Sequence, residues 1–213
     1  MYHGLLLSML HGVPAHLPVL SCKYYISHLS PIQYLMHSFP YIAHIVDEWV
    51  PVAIQLSQSG NYVTVLVYTH LLHKQVSHSD MLSVLHDTVM TEVLQASHVV
   101  VMGKSAGGGL AQEFAIQYPK NLLALVLAAP SSSNPDHIST FCPSDRNHMQ
   151  APLFLAWAAD DASFGKSNLW LETCQRKRNA FSFYSAKSGG HRVLPEYAAQ
   201  IQSFFDTYHV VAI

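Results

Sequence analysis

Short apolar segments that do not alternate with polar residues constrain the fold of this chain most strongly. They lie at 62–68, 98–102, 122–129 and 152–158, and β-branched or other aliphatic residues dominate them. A strand that is apolar throughout has to be covered on both faces, and a parallel sheet between two layers of helices provides that cover. The sequence therefore predicts an α/β fold: a mostly parallel sheet with helices on both faces.

The segments between and after these strands complete the pattern. Apolar spacing and boundary residues predict further strands at 31–36 and 181–185 and helices at 42–59, 81–95, 110–118, about 168–175 and 195–208. Residues 130–149 are rich in Ser, Pro and Asp and are predicted to be mostly loop. Because no repeat or linker interrupts the chain, we expect a single domain over 1–213 and a sheet that is short at its N-terminal edge. Residues 1–30 are expected to be an irregular segment that supplies at most one or two irregular strands.

The composition excludes several classes of protein. The formal net charge is -2 with neutral histidines, and only 11% of the residues are charged, so we expect no surface for nucleic acid or an anionic membrane. No apolar stretch has the length of a transmembrane helix, and the apolar residues 5–10 lack the basic start of a secretory signal. Cys22, Cys142 and Cys174 include no Cys-x-x-Cys pair and indicate neither a disulfide framework nor a zinc site. We expect a cytoplasmic protein, with Cys142 and Cys174 buried or inert.

One short motif carries nucleophilic chemistry. Residues 103–107, Gly-Lys-Ser-Ala-Gly, form a Gly-x-Ser-x-Gly pattern between a predicted strand and a predicted helix. A nucleophile elbow has that context: a strained turn lifts the hydroxyl of Ser105 clear of the backbone, and its small neighbours leave room for strand and helix. The backbone N–H of Ala106, at the start of the helix, would be free to bind a developing oxyanion.

Alternative interpretations of the glycines and histidines involve a bound phosphate or a metal. A P-loop needs a glycine where His98 stands, and the residues between His98 and Gly103 have the pattern of a strand. A dinucleotide-binding turn needs its second glycine where Ser105 stands. His70 and His73 have no carboxylate at ligand spacing. We therefore expect neither a cofactor nor a metal.

A histidine and two aspartates follow other predicted strands. His191 ends a Ser-Gly-Gly-His loop after the last strand, and Asp160 and Asp161 follow the strand at 152–158. The carboxyl ends of parallel strands meet at one edge of a sheet, where such sheets bind ligands. A serine nucleophile needs a base and a carboxylate that orients the base. The pattern therefore predicts that Ser105, His191 and one of the two aspartates share a site.

The order of these residues, serine then aspartate then histidine, resembles that of the α/β-hydrolase superfamily. The resemblance covers residues 31–206. The segment 154–161 is similar to a strand of that family that ends in Trp-Gly-x-x-Asp, with Ala158 in the place of the glycine. This register implies Asp161, rather than Asp160, as the acid.

The resemblance also implies an oxyanion hole. Pro31–Pro40 resembles the strand and the His-Gly-x-Pro loop that supply its second donor, which here is the N–H of Phe39, beside that of Ala106. Two departures accompany the match. Ser38 replaces the glycine of that loop, and residues 69–74 replace an acidic, glycine-rich stretch of the family.

The resemblance implies a serine hydrolase of the carboxylesterase or acyl-thioesterase type, with Ser105, His191 and Asp161 as its triad and an acyl-enzyme intermediate. The implied substrate is a small-molecule acyl ester or an acylated protein, because the short segment 130–151 leaves no room for the usual lid domain. The alternative is a weakly active or inactive binding or scaffold protein on the same fold. Acyl transfer to an acceptor other than water would use the same residues.

Overall fold

The computed structural model describes residues 4–10, 21–25, 48–59, 62–68, 82–83, 86, 98–131, 135–142, 151–175 and 180–210. The strands are β1 (Gly4–Leu10), β2 (Ser21–Tyr25), β3 (Tyr62–Tyr68), β4 (Val99–Lys104), β5 (Leu122–Ala128), β6 (Leu153–Ala158) and β7 (Phe181–Ala186). The α-helices are α1 (Val50–Ser59), α2 (Ser105–Gln117), α3 (Pro135–Phe141), α4 (Gly165–Cys174) and α5 (Tyr197–Thr207), and a 3₁₀ turn spans Pro119–Asn121.

The seven strands of the described residues form one sheet, in the order β2-β3-β1-β4-β5-β6-β7. β2 pairs antiparallel with β3, and every other neighbouring pair is parallel. The predicted α/β fold with a mostly parallel sheet is therefore confirmed. The carboxyl ends of the parallel strands lie at a common edge, which is where ligands bind in folds of this kind.

Helices cover both faces of the sheet, since alternate side chains of β4 are buried in two separate hydrophobic cores. Val99 and Val101 pack in a core with residues of α2, α3 and α4. Val100 and Met102 pack in a second core with residues of α1 and α5. All four side chains are at most 1% exposed, so this strand is apolar on both faces for the reason that the sequence pattern indicates.

Residues 4–10 form a central strand, whereas the sequence predicts over 1–30 an irregular segment that adds at most one or two irregular strands. β1 pairs in parallel with both β3 and β4, and β2 adds an antiparallel strand beyond β3. Residues 5–10 are apolar except for Ser8, which is close to the composition of a central parallel strand. The prediction missed the central position of β1, because its partners β3 and β4 lie far along the chain and no local turn pattern indicates the pairing.

α2 begins at Ser105, earlier than the predicted start at residue 110. Glycines 107–109 lower helix propensity, which favoured the later start. The helix nevertheless includes these glycines, because the packing around it needs one of them. A Cβ on Gly108 would lie only 2.9 Å from the Cα of Pro130. The glycine is what lets α2 approach the segment after β5.

α3 lies inside residues 130–149, which were predicted to be mostly loop. Pro135 is its first residue, a favoured position because proline has no N–H to leave unpaired. Ile138 and Phe141, one helical turn apart, are fully buried. These two apolar positions stabilise a helix that its polar composition did not indicate.

Most predicted elements agree with the structure, and some lie partly outside the described residues. The agreement is within a few residues for β3, β5, β6, β7, α4 and α5. α1 begins at Val50 after a turn at Glu48 and Trp49, and the earlier part of that predicted helix lies outside the described residues. The predicted strand at 31–36 and most of the helix at 81–95 also lie outside them.

The described residues contain neither a membrane-spanning helix nor a group of metal ligands. There, no helix has both the length and the apolar character needed to cross a membrane. Over the same residues, no three His, Cys, Asp or Glu side chains are grouped so that they could hold a metal ion.

Cys142 and Cys174 form a disulfide, although the sequence indicates no disulfide framework. Both residues are fully buried, as predicted. Cys142 directly follows α3 and Cys174 ends α4, so only the packing of these helices brings the sulfur atoms together across 32 residues of sequence. Disulfides are rare in cytoplasmic proteins, and the cytoplasmic location stays a prediction that this bond does not support.

Removing the disulfide should lower the free energy of unfolding by about 3–4 kcal/mol, because the bond closes a loop that restricts the unfolded chain. Urea denaturation of the wild type and of a Cys142→Ala, Cys174→Ala double variant measures the difference. Reductant should bring the wild-type midpoint to that of the variant and leave the variant unchanged. A wild-type midpoint that does not respond to reductant during unfolding would contradict this contribution.

Candidate active site

Ser105 occupies a tight turn at the carboxyl end of β4. Lys104, the last residue of that strand, has extended backbone angles, and Ser105 follows with a φ of 52° as α2 begins. A left-handed φ is uncommon for a residue with a side chain and costs roughly 1–3 kcal/mol. The N–H of Ser131 donates a 2.8 Å hydrogen bond to the carbonyl of Ser105 and attaches the turn to the segment after β5. This is the conformation that a nucleophile elbow requires.

Glycines make this turn possible because the backbone segments around it are in close contact. A Cβ on Gly103 would overlap the carbonyl of Gly107 and lie 2.8 Å from the Cα of Gly108. Side chains do not tolerate such approaches to backbone atoms, which cannot move without moving the turn. The glycine before the serine is thus required by the space between β4 and α2, as the motif predicts.

Asp161 and His191 are in hydrogen-bonding contact at the ends of β6 and β7. Asp161 Oδ2 lies 2.7 Å from His191 Nδ1, and the two side chains are 2% and 44% exposed, respectively. Asp161 Oδ1 accepts hydrogen bonds from the N–H and the hydroxyl of Ser163, each at 2.7 Å. The Ser163 hydroxyl in turn accepts a 3.1 Å hydrogen bond from Trp157 Nε1. The contact at Nδ1 leaves Nε2 as the ring nitrogen that is available for proton transfer.

The hydrogen bonds keep the Asp161 carboxyl ionised in spite of its burial. Burial acts to raise its pKa, but the Ser163 N–H, His191 and the Ser163 hydroxyl together outweigh that effect, so the pKa lies below its ordinary value of 3.8. An ionised carboxylate on Nδ1 can orient the imidazole and stabilise its protonated form. The group therefore has the charge that a triad acid needs at neutral pH.

Asp160 has a different role from Asp161, although both follow the same strand. Its Oδ1 accepts hydrogen bonds from the N–H of Gly189 at 2.8 Å and of Gly190 at 2.7 Å. The hydrogen bonds from Gly190 and Gly189 lower the pKa of Asp160. Gly190 has a φ of 63°, a conformation that glycine adopts without strain. Asp160 thus holds the turn that precedes His191 and does not contact the imidazole in the way that Asp161 does.

Of the remaining predicted site residues, the structure describes Ala106 but not Phe39. Ala106 is the second residue of α2, in the first turn, where backbone N–H groups have no partner inside the helix. Phe39 lies outside the described residues, as do His70 and His73. Sequence reasoning missed Ser163, although the spacing Asp-x-Ser is typical of a turn in which the aspartate accepts a hydrogen bond two residues ahead.

Comparison with known proteins defines the class of fold. The sequence matches no family model and no curated protein. Similar solved structures include Est1E from Butyrivibrio proteoclasticus, with a TM-score of 0.63 and 11% identity over 99% of this chain and 90% of that chain. Carboxylesterase CesB from Bacillus subtilis has a TM-score of 0.59 and 13% identity over 95% of this chain and 84% of that one.

A third similar structure is described as an α/β-hydrolase. MGS-MChE2, from a metagenome of lagoon sediments at Mar Chica, Morocco, has a TM-score of 0.58 and 16% identity over 98% of this chain and 93% of that chain. At such identities the likeness concerns the fold. The chain has the α/β-hydrolase fold, which confirms the fold that its motifs predict.

Gly103→Ala should lower the free energy of unfolding by about 2–3 kcal/mol, because the added methyl group overlaps backbone atoms of Gly107 and Gly108. Gly165→Ala is the matched control, since a Cβ at that first residue of α4 would meet no atom within 4 Å outside its chain neighbours and its own helix backbone. Thermal unfolding followed by circular dichroism should show a lowered midpoint for the first variant and an unchanged or slightly raised midpoint for the second. Equal midpoints would contradict the close packing of the backbone around Gly103.

Proposed function

We propose that this protein is a serine hydrolase that cleaves a carboxylic ester or thioester, with Ser105 as nucleophile, His191 as general base and Asp161 as the acid of the triad. The observation that carries the proposal is the 2.7 Å contact between Asp161 and His191. It lies at the same sheet edge that presents Ser105 in a left-handed turn. Folds of this type host many functions, but a binding surface alone needs neither a strained serine nor a buried carboxylate on a histidine.

The first half of the proposed reaction forms an acyl-enzyme. Ser105 Oγ attacks the carbonyl carbon while His191 Nε2 takes the hydroxyl proton. Asp161, on the opposite ring nitrogen, keeps Nε2 free to accept that proton and stabilises the imidazolium that results. As the tetrahedral intermediate collapses, the bond to the alcohol or thiol breaks and the imidazolium gives its proton to that leaving group.

The second half releases the acid by the same groups. His191 takes a proton from water as the water oxygen attacks the acyl carbon, and the bond to Ser105 Oγ then breaks as the proton is returned to it. The sequence of steps uses only these side chains and water, so the proposal requires no metal or cofactor. An acceptor alcohol in place of water would give acyl transfer by the same path.

Two backbone N–H groups are proposed to hold the oxyanion. Ala106 offers the first, from the start of α2. For the second, the sequence predicts Phe39, but the position of β1 supports another candidate, Val13. β1 lies next to β4, which ends at the elbow, and the chain continues from β1 into His11-Gly12-Val13-Pro14, which has the His-Gly-x-Pro pattern with its glycine.

The proposed substrates are small-molecule acyl esters or acyl groups carried on a protein. The His191 side chain is 44% exposed, which favours an accessible acyl group over a long buried lipid. One of the similar structures is a carboxylesterase, which supports ester chemistry on this fold.

Turnover of p-nitrophenyl acetate tests the proposed triad. Ser105→Ala should reduce activity to background, and Asp161→Asn should lower kcat by about 10⁴-fold, because a neutral amide holds the wrong imidazole tautomer. Asp160→Asn is the matched control and should retain kcat within about tenfold, since the hydrogen bonds of Asp160 go to the turn before His191.

The same assay identifies the second oxyanion donor. Val13→Pro and Phe39→Pro each remove one backbone N–H, and the variant that loses about 10²–10³ in kcat identifies the donor.

Circular dichroism establishes that each of these variants is folded before its activity is interpreted. A folded Ser105→Ala variant as active as the wild type would contradict the nucleophile, and a larger deficit in Asp160→Asn than in Asp161→Asn would contradict the acid. A folded wild type with no turnover would instead support the alternative, a binding or scaffold protein on this fold.

A further inference from the structure

Glu48 connects the serine turn and the histidine loop, although it belongs to neither. It lies in the turn just before α1. Its Oε2 atom accepts a 2.7 Å hydrogen bond from Lys104 Nζ and a 3.1 Å hydrogen bond from the N–H of Val193. Lys104 directly precedes Ser105, and Val193 follows His191 by two positions. One carboxylate oxygen thus joins the two segments that carry the proposed nucleophile and base.

Partial burial of the ion pair and packing of the neighbouring residue Trp49 stabilise the position of Glu48. The side chains of Lys104 and Glu48 are 12% and 21% exposed, so water screens the pair less than it would a fully exposed one. Trp49, the next residue, is fully buried in the same core as Val193, and its carbonyl accepts a 2.8 Å hydrogen bond from the N–H of Ala53 as α1 begins. The burial of the Trp49 side chain therefore fixes the backbone at Glu48.

The sheet alone does not set the distance between Ser105 and His191. β4 carries the serine turn, β7 precedes the histidine loop, and β5 and β6 lie between them. Asp160 and Asp161 attach the histidine loop to the end of β6, not to the elbow. The two hydrogen bonds of Glu48 join the histidine loop directly to Lys104, the residue before Ser105.

We propose that Glu48 is a positioning residue, which holds the His191 loop at the distance from Ser105 that proton transfer requires. The inference rests on the proposed function, since it concerns the same pair of groups. A displacement of about 1 Å in such a pair can cost 10²-fold in rate, so a contact that touches no substrate has a large effect on kcat. Sequence reasoning missed Glu48 because its partners lie 56 and 145 positions away along the chain.

Glu48→Ala, Glu48→Gln and Lys104→Met test the inference in the p-nitrophenyl acetate assay. Glu48→Ala removes both hydrogen bonds and should lower kcat by about 10- to 100-fold with KM within about threefold of the wild type. Glu48→Gln keeps an oxygen that can accept both bonds and should restore kcat to within about threefold. Lys104→Met cuts the connection at the elbow and should lower kcat at least about tenfold. Glu196→Ala, which removes an exposed carboxylate bonded to Tyr184, is the control and should not change kcat.

The outcomes separate this inference from the function on which it rests. A wild type without turnover would contradict the proposed function itself. If the wild type is active, a folded Glu48→Ala variant with wild-type kcat overturns the positioning role, and so does a Glu48→Gln variant as impaired as Glu48→Ala, because charge rather than position would then matter. If Glu48→Ala does not fold, Lys104→Met decides: an unchanged kcat overturns the inference.

Discussion

The hydrogen bond between Asp161 and His191 depends on two loops that leave neighbouring parallel strands at the same level. Ala158 and Ala186, the last residues of β6 and β7, are paired in register. Beyond them, Asp160 accepts hydrogen bonds from two successive N–H groups of the histidine loop. The loops are thereby joined just before the imidazole, and the buried Asp161 carboxylate meets its ring at 2.7 Å. Register in the sheet sets the approximate position, and polar contacts beyond the sheet set the final one.

Apolar and polar contacts contribute differently to the position of the Ser105 turn and of the His191 loop. Burial on both faces of β4 fixes where the strand ends, but hydrophobic packing has no direction and cannot align Ser105 with a proton acceptor. Hydrogen bonds and ion pairs have the direction that packing lacks. Glu48 provides two of them at one oxygen atom, one toward the elbow and one toward the histidine loop. On this account the site is assembled by a few charged groups on a scaffold that the core holds rigid.

The sequence predicts the parts of this structure that have a local cause. Apolar runs locate β3 to β7, and the Gly-x-Ser-x-Gly turn locates the elbow, because strand burial and turn sterics act within a few residues. It does not predict the central position of β1, the Cys142–Cys174 bond or the contacts of Glu48, since each joins segments distant along the chain. The two adjacent aspartates could be ranked only by resemblance, and the hydrogen bond to His191 now distinguishes Asp161 geometrically.

Covalent labelling with a fluorophosphonate, followed by peptide mapping with mass spectrometry, tests most directly whether Ser105 is an activated nucleophile. The probe reacts with a serine whose hydroxyl is activated by a neighbouring base, which takes the proton as the oxygen attacks. The account predicts a single adduct on the peptide that contains Ser105, and a much slower reaction in Asp161→Asn than in Asp160→Asn. A folded wild type that carries no adduct, or carries it on another serine, would contradict the central claim.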